Sequence, residues 1–212
     1  MVVTNNSNIT LSNSVAARLP YIGEMREEMR LDARAEENPV RTTLLLGGAR
    51  SGKSRRALAL AGAAGAAPLL IATAQPLDAE MAARIARHRE ERGAGWTVQE
   101  EPVALVQALA SALETGRPVV VDCLTLWLAN LFEAGADWRA QARALADMLT
   151  DHPEAPVVLV SNEIGLGLVP ETPLGRDFRD AQGRLNQDVA AACAVVEFLA
   201  AGLPWRLKGP AG

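Results

Sequence analysis

At 212 residues the chain suits one ordinary domain with a real core, and half of it is apolar, with few aromatics. A formal charge of −4 gives no electrostatic reason to expect a nucleic-acid partner. The two cysteines, Cys123 and Cys193, form no disulfide framework or metal-ligand pattern, no apolar run is long enough to span a bilayer, and the start lacks a signal-peptide pattern, so a reduced, cytoplasmic setting is expected.

Residues 1 to about 40 differ from the rest. Asn5-Asn6-Ser7-Asn8 and Ser12-Asn13-Ser14 are polar and turn-prone, and Glu24 to Glu37 is dense in charge. This segment reads as a mobile extension, or as sequence upstream of a later start at Met25 or Met29. Residues 41–212 read as a single nucleotide-binding catalytic domain.

Thr42 to Leu46 is a short apolar run that predicts a buried strand. It leads into Gly47-Gly48-Ala49-Arg50-Ser51-Gly52-Lys53-Ser54, which fits G-x-x-x-x-G-K-[ST] without a mismatch. Ser54 to Ala63 predicts the helix that leaves the loop. Strand, glycine loop and helix together aim backbone N–H groups and a helix N-terminus at phosphate oxygens. Lys53 is expected to reach the β/γ-phosphates of a nucleoside triphosphate, with the Ser54 hydroxyl on Mg²⁺.

Pro68 to Thr73 predicts a second buried strand, and Asp78 to Glu91 a helix with Asp78 as N-cap. Trp96 to Gln99 alternates like a short strand, and Val103 to Leu113 reads as a helix. Arg117 to Asp122 is a third buried strand ending in an acid. Leu124 to Glu133 and Arg139 to Leu149 read as helices, then Ala155 to Ser161 as a fourth buried strand. A loop rich in Gly and Pro, Asn162 to Pro173, precedes a long helix over Leu174 to Ala194, and Val195 to Leu199 and Trp205 to Leu207 close the chain as strands. Apolar strands alternating with helices predict an α/β fold: a P-loop NTPase-like (RecA-like), mostly parallel sheet with helices on both faces. Ligands then bind beyond the carboxyl ends of the strands.

Asp122 stands where such a protein places its second Mg²⁺ acid, although an Asp after a strand is also a common turn residue. Of the two histidines, His152 sits in a surface turn and His88 in a basic segment. On a helix, Arg84, His88 and Arg92 share one face at four-residue spacing. Neighbouring cations favour the neutral imidazole, which can attack phosphorus. A solvated charged face, with Glu90 and Glu91 balancing the arginines, explains the same spacing. Thr73 and Gln75 could line the nucleotide site, and Glu100 and the Asn162-Glu163 pair follow other strands. Gly165 and Gly167 suggest a mobile lid. Arg176, Arg179 and Arg184 could hold phosphates or be surface charges. Trp127, Leu131 and Phe132 could form an acceptor groove, a subunit interface or core.

The phosphate loop is followed in order by Ile71-Ala72-Thr73-Ala74, by Asp78 to Arg89, and by Trp96. Then come Val160 to Pro170, containing Asn-Glu-Ile-Gly-Leu-Gly, and Phe178 to Gln187. This ordered set, over about residues 42 to 207, resembles the bifunctional adenosylcobinamide kinase / adenosylcobinamide-phosphate guanylyltransferases of cobalamin biosynthesis. The resemblance implies two reactions. ATP or GTP phosphorylates adenosylcobinamide; GTP then gives GMP to adenosylcobinamide phosphate through a guanylyl-histidine, releasing pyrophosphate. It implies His88 as the nucleophile, since Arg87 stands where some relatives carry a second histidine. It also implies nucleotide contacts from Ala72, Thr73, Ala74, Arg84, Arg89, Glu100 and Asp122, Mg²⁺ on Ser54 and Asp122, and a homotrimer. The rivals are a monofunctional P-loop kinase of another small alcohol, which would not need His88, and a regulatory nucleotide-binding module.

Overall fold

The computed structural model describes residues 40–64, 67–76, 78–79, 81–83, 86 and 95–210. Expectations for residues 1–39 and for most of the predicted helix at 78–91 lie outside them. Seven strands form one sheet in the order β3-β2-β4-β5-β1-β6-β7. The strands are β1 (Thr43–Gly47), β2 (Leu69–Ala72), β3 (Thr97–Glu100), β4 (Val119–Asp122), β5 (Val157–Asn162), β6 (Val195–Ala200) and β7 (Leu203–Lys208). All neighbours pair in parallel except β6 and β7, which form an antiparallel hairpin.

The helices are α1 (Lys53–Ala63), α2 (Leu105–Leu113), α3 (Leu124–Glu133), α4 (Trp138–Asp151) and α5 (Pro173–Ala192). Alternate strand residues feed two cores. Leu45, Leu70, Val120, Val158 and Val160 pack under α1 with Ala57 and Ala61. Leu44, Leu46, Ile71, Val121 and Leu159 pack under the other helices, around Trp127, Leu128, Leu145 and Leu185. The sheet is therefore covered on both faces, by one described helix on one side and four on the other.

Local chemistry sets the ends of these elements. Asp137 caps α4, its carboxylate accepting from Arg139 N at 3.0 Å and Ala140 N at 3.1 Å. Thr172 caps α5, accepting from Gly175 N at 3.1 Å with Pro173 in the first turn. Asp78 Oδ1 accepts from Met81 N at 2.6 Å, as an N-cap does. Two strands are less buried than their sequences suggest: β3 and β7 are the sheet edges and β3 is exposed throughout. Trp127 and Leu131 are core, at 0% and 1% exposure, and Trp127 Nε1 donates to Val103 O at 2.8 Å. Phe132 packs on that core, edge-on to Phe178 at 5.5 Å between ring centres.

Candidate active site

The loop 47–54 closes on its own backbone. Gly47 has φ 151° and Gly52 φ 100°, both in the region that favours glycine. A Cβ on Gly47 would collide with the Leu199 carbonyl, and one on Gly52 would come within 3.2 Å of Gly202 Cα. Gly52 is also the N-cap of α1, so the helix begins where the loop ends. Lys53 is 7% exposed, and its Nζ donates to Gly47 O at 2.8 Å and Gly48 O at 2.6 Å. Its ammonium is thus held inside the curve of the loop, beside the half-buried Ser54 at the helix N-terminus.

Strand register lines the other candidates along one edge of the sheet. β5 lies between β1 and β4, with Gly47 opposite Asn162 and Asp122 opposite Val160. Ala72 stands opposite both Asp122 and Glu100. Asp122, Ala72 and Ala74 are half-buried, and Glu100 is exposed. Thr73 is fully buried and pins the end of β4. Its hydroxyl accepts from Cys123 N at 2.9 Å and donates to Cys123 O at 2.7 Å. Asn130 Nδ2 holds Thr73 O at 2.8 Å and Pro102 O at 2.9 Å. Thr73 thus shapes the site through the backbone at 122–123. Burial, and then the Asp122 charge, push the Cys123 thiol up to about 11 against the pull of Lys53. A thiol held there stays protonated and is no nucleophile at neutral pH.

Among the described residues no three His, Cys, Asp or Glu side chains gather as a metal cage. One hydroxyl and one carboxylate, Ser54 and Asp122, suit Mg²⁺, which keeps waters and phosphate oxygens as its remaining ligands.

The loop after β5 is built differently. Glu163 N donates to Gly47 O at 3.1 Å, the oxygen that Lys53 also uses. Asn162 N donates to Thr125 Oγ1 at 2.9 Å, and Asn162 O accepts from Asn186 Nδ2 at 3.1 Å. Arg179 donates to Gly165 O at 2.6 Å and Leu168 O at 3.1 Å. Arg176 donates to Pro170 O at 3.0 Å and Glu171 O at 2.7 Å. Two arginines that could have held phosphates therefore latch this loop, and the third, Arg184, is exposed.

His88, Arg84 and Arg89 lie outside the described residues, as does Arg92. Several supports escaped the sequence reading. Ser161, Gln182 and Asn186 form a buried triad: Ser161 Oγ donates to Asn186 Oδ1 at 2.6 Å, and Gln182 Nε2 donates to Ser161 Oγ at 3.0 Å and Asn186 Oδ1 at 2.9 Å. The signal for it was a polar pair four residues apart beside the apolar stripe Phe178, Ala181, Leu185 and Val189. Glu197, 2% exposed in β6, accepts from Arg56 Nε at 3.0 Å and Arg206 Nη2 at 2.8 Å. Burial alone would raise its carboxyl; the two guanidinium groups override that and hold it below the ordinary value. Arg56 is in the first turn of α1, so this pair ties the helix of the phosphate loop to β6.

The family model described as cobinamide kinase / cobinamide phosphate guanyltransferase matches residues 43–207. A bifunctional adenosylcobalamin biosynthesis protein CobP of Pseudomonas aeruginosa is 50% identical over 168 residues, covering 78% of this chain and 96% of that protein. Bifunctional adenosylcobalamin biosynthesis proteins CobU of Escherichia coli and Salmonella typhimurium are 40% and 41% identical over 179 residues, each covering 78% of this chain and 98% of the relative. Among solved structures, the VirB11 ATPase from the Brucella suis type IV secretion system aligns at a TM-score of 0.43 and 12% identity, over 97% of this chain and 60% of that one.

Proposed function

This chain belongs to the cobinamide kinase / cobinamide phosphate guanyltransferase family, and we propose how its residues share the two reactions. It is a bifunctional enzyme of cobalamin biosynthesis on a P-loop nucleotide-binding fold, so the monofunctional kinase and regulatory readings fall away. In the first step ATP or GTP passes its γ-phosphoryl group to the hydroxyl of adenosylcobinamide. In the second, a ring nitrogen of His88 attacks the α-phosphorus of GTP and pyrophosphate leaves. The phosphate of adenosylcobinamide phosphate then takes GMP from the imidazole, giving adenosylcobinamide-GDP. A histidine intermediate divides one attack of polyanion on polyanion into two displacements.

Both steps use the loop 47–54. Its N–H groups and the α1 N-terminus hold phosphate oxygens, and Lys53 exchanges the Gly47 and Gly48 carbonyls for the β/γ-phosphates. Ser54 and Asp122 are the proposed Mg²⁺ ligands; the ion, when bound, supplies positive charge against the phosphates. Ala72, Ala74, Arg89 and Glu100 border the nucleotide, and Arg84 and Arg92 flank the transferring α-phosphate. The observation that carries this reading is the buried Lys53 ammonium inside a glycine loop, two strands from Asp122.

Residues 41–212 form the proposed catalytic domain, with 1–40 outside it. The edge strand β7, which exposes Leu203, Trp205 and Leu207, supports self-association as the proposed homotrimer. A cytoplasmic setting is proposed in keeping with the two unpaired cysteines. Assaying the two half-reactions on His88→Ala tests the division of labour. Kinase turnover within twofold of wild type, with guanylyl transfer lost, is the expected result. Guanylyl transfer that survives in the variant would remove His88 from the reaction.

A further inference from the structure

Beside the phosphate loop, on the flank away from β2 and β3, lies an open cleft of about 540 Å³. Arg50, Ser54, Arg55, Leu58, Ala201 and Gly202 line it. We infer that this cleft takes the nucleoside of the triphosphate that donates in the kinase step. The inference rests on the phosphate-loop reading above and adds a site to it.

Four observations lead there. The cleft is continuous with the loop, because Gly52 and Ser54 belong to both. A triphosphate seated on the α1 N-terminus thus has its next atoms at the cleft mouth. The far wall is fixed relative to the loop: Gly202 N donates to Ser51 O at 2.9 Å, so the β6–β7 turn is tied to the phosphate loop. That turn presents Ala201 and Gly202, and the Arg55 guanidinium lies against it, with Nη2 2.9 Å from where a Cβ on Gly202 would stand. A guanidinium backed by the turn can stack on a base, and Leu58 adds an apolar surface to the lining. Ser51, buried and with no hydrogen-bond partner for its hydroxyl among the described residues, adds a polar group to the lining.

Size and charge select among the molecules the enzyme handles. The volume falls in the usual range for a small-ligand site, about 300–1,000 Å³, and suits a base and ribose. A corrin macrocycle with its amide arms is too large for it. The lining includes two arginines and no acid, which suits a ligand whose tail is a polyphosphate. β2 and β3, between which His88 falls in the sequence, lie on the other flank of β1. The guanylyl donor must bring its α-phosphorus to His88. The two reactions would then share the loop while pointing their nucleosides to opposite sides.

Filling the cleft tests this. Leu58→Trp places an indole in it, and Leu58→Phe a smaller ring if the first variant folds poorly by circular dichroism. The readouts are KM for ATP in the kinase step, KM for GTP in the transfer step, and inhibition of the kinase by inorganic tripolyphosphate with Mg²⁺. The expected result is a rise of tenfold or more in KM for ATP, with tripolyphosphate inhibition and KM for GTP in transfer within twofold. An unchanged KM for ATP overturns the inference. So does an equal weakening of tripolyphosphate, which places the effect on the loop, or a rise in KM for the corrinoid alone, which gives the cleft to the acceptor. Lys53→Ala, with tripolyphosphate binding measured calorimetrically, separates the two levels. If that variant keeps its affinity for tripolyphosphate, the phosphate-loop reading itself has failed.

Discussion

The phosphate loop at 47–54 and the loop at 163–172 leave neighbouring parallel strands at the same edge of the sheet, with Gly47 opposite Asn162. They are held differently, although Glu163 N and Gly202 N also bond the first from outside, at Gly47 O and Ser51 O. The first closes on itself: glycines make its turns, and its own lysine bonds its own carbonyls. The second is held from outside, by Arg176 and Arg179 of α5, while Leu166, Leu168 and Val169 stand exposed at 81%, 97% and 70%. A loop whose restraints are local carries them in its sequence. A loop restrained by a later helix shows them only once the chain is folded.

Four substitutions bear on this contrast. Lys53→Ala removes the ammonium held inside the first loop's curve, and both half-reactions should fall about 10³-fold, the scale of losing a charge-stabilising donor. A loss confined to one half-reaction would break the idea of a shared loop. Asp122→Asn keeps the shape of the strand end and removes its charge; a fall of about 10²-fold in both activities, partly restored by raising Mg²⁺, is expected.

Glu197→Gln tests the scaffold under the first loop. Because Arg56 and Arg206 are partly exposed, the cost should fall below that of breaking a fully buried pair, at about 2 kcal/mol. Thermal unfolding should then shift down by roughly 4–8 °C. The Glu197 carboxyl is held below its ordinary value of 4.5 in the folded chain. Its contribution is therefore complete above pH 4.5 and is lost as pH falls through the depressed folded value. Glu197→Gln should flatten the acid limb of the stability–pH curve, and an unaltered limb would mean the pair contributes nothing. The smallest effect belongs to the second loop. Arg179→Ala frees the Gly165 and Leu168 carbonyls, and amide exchange over 164–169 should quicken about tenfold, with exchange at 47–54 unchanged. Equal acceleration in both loops would show that they are one unit.

The sheet was largely legible in the sequence because its central strands are buried on both faces and read as unbroken apolar runs. Val119-Val120-Val121 and Val157 to Val160 are of this kind. The edges were less so: Thr97 to Glu100 alternates weakly because neither face of β3 is buried. The phosphate loop was readable residue by residue, since its chemistry needs fixed residue types at fixed spacing. Thr73 was placed at the site, but its bond to the Cys123 backbone spans fifty residues and has no local signature. Glu197 lies in an apolar strand and was not singled out in the sequence; only packing against Arg56 and Arg206 gives it a role. The same holds for Ala201 and Gly202, whose nearness to the phosphate loop depends on β6 pairing with β1.

The most direct test of the central claim is to mix the protein with Mg²⁺ and α-³²P-labelled GTP, denature it, and count label bound to protein, with His88→Ala alongside. The account predicts acid-labile, base-stable label on the wild type and none on the variant. Equal label on both, or none on a wild type shown separately to bind GTP, would contradict it.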